Sequence, residues 1–217
     1  MSTRRLARRR LIALAVLGAG LRAGAAEAPG ASSVEAYART LFRDAEVQLL
    51  STDEGAPTRR RVFGVALGPG EGSRQGRVFV LERLPGGGLR ELARSQAFDF
   101  ADASGRTDFE IVEAQSDRRF SLQINSRSAC GVHVTVYRFA QLEAGTWVLA
   151  GMDTRTPTCG RNGELELAAT RSTNFLTGQH IEQAYRNDKP AKRTVKQLAF
   201  PPFPLAGFEP FDSRHNP

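Results

Sequence analysis

The chain holds three histidines, His133, His180 and His215, and acid–base or metal chemistry near neutral pH would be built around them. Hydrolysis requires a nucleophile beside a positioned base, or a metal with an open coordination position. Neither a Gly-x-Ser-x-Gly elbow nor a His-Glu-x-x-His pair accompanies the histidines. His133 and His180 fall on candidate strands, so an envelope hydrolase would use one of them with nearby carboxylates, whereas ordinary sheet histidines would be partly exposed. His215 falls in a tail expected to be mobile. Glu164 and Glu166, two apart, would share a strand face about 7 Å from each other, a spacing suited to a pair of glycosidase carboxylates or simply to a wet strand face. Gly68-Pro69-Gly70-Glu71-Gly72 follows a strand, but the Lys-Ser or Lys-Thr pair and the helix of a phosphate loop are missing, which leaves a hairpin loop.

Two further groups of residues have chemistry to offer. Asp102-Ala103-Ser104-Gly105-Arg106-Thr107-Asp108 resembles the calcium loop of integrin-like propeller repeats, with Asp102, Ser104 and Asp108 as the surviving oxygen ligands. Calcium takes six to eight oxygens, so a plain Asp/Ser/Gly turn is the competing reading; no other cofactor is expected. Tyr137 and Trp147, with Phe139, would form an aromatic contact surface or, since Trp147 is the single tryptophan, part of the core.

These residues follow an export signal. Met1 to Ala26 carries six arginines and no acid, five of the arginines preceding the apolar run Leu11 to Leu21. That run is too short for a roughly 30 Å bilayer core, and it leads into Ala23-Gly24-Ala25-Ala26, a signal-peptidase type of site. The expected organisation is a signal peptide over 1–26, a β domain over 27–200 and a Pro-rich tail over 201–217, with no integral membrane segment after cleavage and a periplasmic or secreted location. Removing the six arginines leaves 24 basic against 23 acidic residues, so the net charge falls from +7 to +1. A nucleic-acid partner therefore gains nothing from the basic composition. Cys130 and Cys159 are the only cysteines, and an even count in an oxidising compartment predicts a disulfide between them.

The elements that must position these groups are mostly strands. Ser33 caps a predicted helix to about Arg43, on which Val34, Tyr37, Leu41 and Phe42 recur at helical spacing. Beyond it, short apolar runs alternate with glycine-rich turns: Arg61 to Gly68, Arg77 to Leu84 and Leu89 to Ser95, then Phe120, Leu122 and Ile124 as a buried face. Val132, Val134 and Val136 are read as continuing that buried face, with His133, Thr135 and Tyr137 on the other side. Further strands follow at Trp147 to Met152, Glu164 to Leu176, Gln179 to Tyr185 and Thr194 to Phe200. Lys189, Lys192, Arg193 and Lys196 read as a solvated edge that resists edge-to-edge pairing. After Phe200, proline excludes a central strand, and the tail is expected to lay its aromatic rings over a sheet face. The expected fold is all-β: an antiparallel meander of about ten strands, curled or paired into a sandwich, with one short N-terminal helix.

Thr170-Arg171-Ser172-Thr173-Asn174-Phe175-Leu176-Thr177-Gly178 and the strand Thr146-Trp147-Val148-Leu149 resemble the C-terminal half of a group of signal-peptide-bearing bacterial periplasmic β-rich proteins. The resemblance covers Phe109 to Phe200 and implies successive hairpins without an assigned activity. Arg171, Asn174 and Arg186 flank the shared motif and are the contact candidates, unless Asn174 only shapes its turn. The function expected is a non-enzymatic binding or inhibitor-like module that presents a sheet face or hairpin loops to a periplasmic protein or envelope component.

Overall fold

The computed structural model describes residues 31–49, 60–69, 73–100, 107–160 and 163–215. The signal segment, Asp102, Ser104 and Gly70 to Gly72 lie outside the described residues. Helix α1 (Val34–Leu41) starts where the Ser33 hydroxyl accepts the Ala36 N–H at 3.1 Å, and it ends as Phe42 turns extended.

Five strands follow: β1 (Glu46–Leu49), β2 (Arg61–Pro69), β3 (Arg74–Arg83), β4 (Leu89–Arg94) and β5 (Phe98–Phe100). They form an antiparallel sheet in the order β1-β2-β3-β4, with β5 pairing the other end of β3. The next seven are β6 (Thr107–Ser116), β7 (Arg119–Ser128), β8 (Gly131–Gln141), β9 (Trp147–Cys159), β10 (Leu165–Asn174), β11 (Gln179–Arg186) and β12 (Lys189–Gln197). These make a second antiparallel sheet in strict chain order, so the fold is all-β, with one α-helix and two sheets among the described residues and no closure into a barrel.

The first sheet is covered on both faces. On one side Val34, Tyr37 and Ala38 of α1 pack with Val62, Ala66, Phe79 and Leu81. On the other, Phe63, Val65, Val78 and Val80 meet Phe120, Leu122, Ile124 and Leu149 of the second sheet. Double coverage explains why β2 reads as an unbroken apolar run and why Val62 through Gly68 are buried. Phe63 stacks on Phe120 at 4.7 Å between ring centroids and meets Trp147 edge-on at 5.7 Å. Neither apolar core takes a side chain from β10, β11 or β12 among the described residues.

One face assignment is corrected. On β8 the buried set is Thr135, Tyr137 and Phe139, whereas Val132 is 42% exposed and Val134 and Val136 are half-buried on the outer face. Both alternating sets are apolar enough to be buried, and a period of two does not choose between them. Tyr137 and Phe139 take the inner side because Phe208 meets them there, with ring centroids at 5.1 and 4.9 Å.

The tail is more deeply built in than expected. Leu205, Phe208 and His215 are each 2% exposed or less. Leu149 N–H donates to Phe203 O at 2.8 Å, filling the edge of β9 that β10 leaves unpaired. His215, expected to be mobile, sits instead among Tyr137, Phe175, Phe203 and Phe208. Strand β12 also begins earlier than Thr194, because Asn187 and Asp188 both adopt positive φ (51° and 57°) in a tight hairpin turn.

Candidate functional site

The second sheet presents two distinct faces beyond the core, and each strand divides its side chains between them. On the inner face, Thr173 of β10 pairs across to His180 of β11, and Arg171 pairs to Glu182. His180 Nδ1 lies 2.8 Å from Thr173 Oγ1, and its Nε2 lies 3.6 Å from Glu182 Oε1. Arg171 and Lys196 approach the same carboxylate at 3.4 and 3.6 Å. Burial pushes the Glu182 carboxyl up, but Lys196, His180 and Arg171 outweigh it and hold the group below the usual carboxylate range. His133 stands half-buried on the same face, its pKa pushed down by burial and by the charge of Arg171.

Hydroxyl, imidazole and carboxylate in line have the makings of a relay. Thr173 and His180 are each 1% exposed, so the hydroxyl and the imidazole are both closed off from solvent. The cluster joins β10 to β11 through a buried hydrogen bond with an ion pair at its rim.

The outer face is open. The aligned residues Ser121, Arg138, Gly151 and Asn174, from β7, β8, β9 and β10, cross it in register. They line a cleft of about 300 Å³ together with Arg119, Leu176 and Gln179. Arg138 ion-pairs with Asp153. Any Cβ at position 151 would stand 3.1 Å from the backbone oxygen of Thr173, so glycine lets β9 and β10 approach closely there. At the other end of this face, where β8 and β10 start and β9 ends, a groove of about 530 Å³ runs between Val132, Pro157, Leu165 and Leu167. Leu165 is 62% exposed, and the Cys130–Cys159 disulfide joins the β7–β8 turn to the end of β9 beside it.

No protein-family model, curated protein or solved structure matches the chain.

The residues singled out from sequence scatter across this architecture. Arg171 and Asn174, three apart on β10, face opposite sides; Arg171 is exposed on the inner face, and Arg186 lies exposed at the end of β11. Asn174 Oδ1 accepts the N–H groups of Leu176 and Thr177, both at 3.0 Å, so its carbonyl shapes the turn. Tyr137 and Trp147 are 1% and 2% exposed and belong to the core, so the aromatic contact surface drawn from them is not presented to solvent. Asp108 is exposed on β6 with Arg127 at 3.7 Å, and no group of three potential metal ligands occurs among the described residues. Glu164 precedes β10 rather than sharing its face with Glu166. Sequence reasoning missed the cleft residues Arg119, Ser121, Arg138 and Gln179. The buried alternation of Phe120, Leu122 and Ile124 implies that Arg119 and Ser121 share the opposite face, but the register that brings Arg138 opposite Ser121 leaves no mark within a single strand.

Proposed function

We propose that the chain is an exported binding module that docks an envelope protein on the outer face of its seven-stranded sheet, along the groove beside Cys130–Cys159. One observation carries the reading: Val132 and Leu165, 42% and 62% exposed, line a single groove with Pro157 and Leu167 instead of standing as scattered surface residues. The disulfide ties two of the groove's walls, which lowers the ordering cost of binding. Export is supported by the arginine-rich start, the short apolar run and the small residues that follow, and a disulfide suits an oxidising compartment. The resemblance of Phe109 to Phe200 to periplasmic β-rich proteins agrees with that location.

The test is recovery of partners from a periplasmic extract by the oxidised mature protein, against Val132→Glu and Leu165→Glu baits with unchanged melting curves. A protein retained by the wild type and lost from both variants supports docking in the groove. Equal recovery by all three baits overturns it.

A further inference from the structure

The cleft at the other end of the same face holds groups that the sheet itself does not use. Ser121 is 5% exposed, yet its hydroxyl has no hydrogen-bond partner among the described residues. Two residues earlier on β7, the Arg119 guanidinium is exposed and ion-pairs with no acid among the described residues. Arg138, across from Ser121, reaches Asp153 through one Nη atom and has further N–H groups to donate. Asn174 has its carbonyl oxygen engaged by the turn, so what it offers the cleft is its NH₂ group. The Gln179 amide stands at the rim, and the exposed Leu176 side chain gives the cleft an apolar wall.

The lining residues carry two guanidiniums, three hydroxyls (Ser121, Ser172 and the buried Thr173) and two amides, and Asp153, the ion-pair partner of Arg138, is not among them. Such a donor-rich set calls for an acceptor-rich anion. A guanidinium fork matches the two oxygens of a carboxylate, and a buried serine hydroxyl with no partner among the described residues gains a charge-assisted hydrogen bond when that carboxylate arrives. About 300 Å³ is at the small end of ligand-pocket sizes, room for one residue-sized group.

We infer that this cleft seats a carboxylate carried on a small apolar group: the Arg119 fork and Ser121 Oγ take the oxygens, and the apolar group lies against Leu176. The chemistry is that of an N-acylated apolar amino acid or of the C-terminal residue of a polypeptide. The inference rests on the outer face being the binding face. Its test reads binding of a small acid, whereas the groove's test reads capture of a protein, so either can fail alone.

The experiment titrates the oxidised mature protein with N-acetyl-leucine and, separately, with N-acetyl-leucinamide, following backbone amide resonances. The acid should shift Ser121, Arg138, Gly151 and Asn174 saturably, and the carboxamide should bind at least about tenfold more weakly, the scale of a charge-assisted hydrogen bond lost. Arg119→Gln should lose about the same factor and Arg119→Lys less, while Arg155→Gln, outside the cleft on the same face, should change nothing. A pentapeptide ending in leucine with a free carboxyl, compared with its amidated form, separates the two sources. Tighter binding of the free peptide than of the acetylated amino acid assigns a polypeptide C-terminus, and the reverse assigns the free acid. Equal affinity for acid and carboxamide, shifts elsewhere, indifference to Arg119→Gln, or inorganic phosphate binding as tightly as the acid would each overturn the assignment.

Discussion

Thr173 Oγ1 and His180 Nδ1 meet at 2.8 Å across the β10–β11 pair, on residues that are each 1% exposed. A buried imidazole that loses its partner retains the full desolvation cost of the unpaired nitrogen. Thr173→Val should therefore lower stability by about 1–3 kcal/mol, and Thr173→Ser should recover most of it. Urea unfolding of the two variants checks this, and equal midpoints for Val and Ser would show that the hydrogen bond contributes nothing.

The disulfide closes a loop with a sequence separation of 29 between Cys130 and Cys159. In the chain-entropy description, such a loop stabilises by about 3–4 kcal/mol. The double variant Cys130→Ser/Cys159→Ser should unfold at correspondingly lower urea concentration. The intact wild type should weigh two hydrogens less than its reduced form. Reductant should shift the wild-type midpoint and leave the variant's alone.

His215 makes folding pH-dependent in a definite direction. Burial pushes its pKa down, Asp212 pulls it back up and Arg214 adds to the depression; Tyr137 faces the ring from β8, its own pKa pushed up to about 12 by burial. Because the native state holds the imidazole neutral, the unfolded chain binds the proton first as pH falls. The contribution of His215 is thus whole above the unfolded value of about 6.5 and is lost as pH drops toward the folded value. His215→Leu should flatten that part of the stability profile. His133, also depressed by burial, should leave a smaller slope in the variant. Parallel pH profiles for wild type and variant would contradict the assignment to His215.

Phe208, 2% exposed, contacts the rings of Phe98, Tyr137 and Phe139. Phe208→Ala should cost about 3–5 kcal/mol, the range for removing a buried aromatic ring. Thermal melts check the magnitude. A loss below about 1 kcal/mol would mean that the tail is dispensable to the core.

What the sequence showed and hid follows from which forces are local. The Ser33 cap, the apolar run of β2 and the alternation of Phe120, Leu122 and Ile124 act within a few residues, so those elements were legible. The side on which Tyr137 lies was not, because Phe208, some seventy residues later, decides it. Lys189, Lys192, Arg193 and Lys196, read as a solvated edge, lie on β12 at the edge of its sheet, where Pro190 is tolerated as well. The outer cleft takes residues from five neighbouring strands, β7 to β11, and Leu176 from the turn after β10, and strand register is long-range information. Cysteine count alone sufficed to pair Cys130 with Cys159.

In the second sheet each strand from β6 to β12 pairs with its neighbour in sequence, so a chain emerging N-terminus first adds it one hairpin at a time. The shared core is a different matter: Leu205, Phe208 and His215 complete it only after β12 has been made. Until then Tyr137, Phe139 and Phe98 lack their cover. A chain cut short after β12 would hold its full complement of strands yet display a raw aromatic surface, the kind of mark by which quality-control proteases and chaperones tell an unfinished product from a finished one.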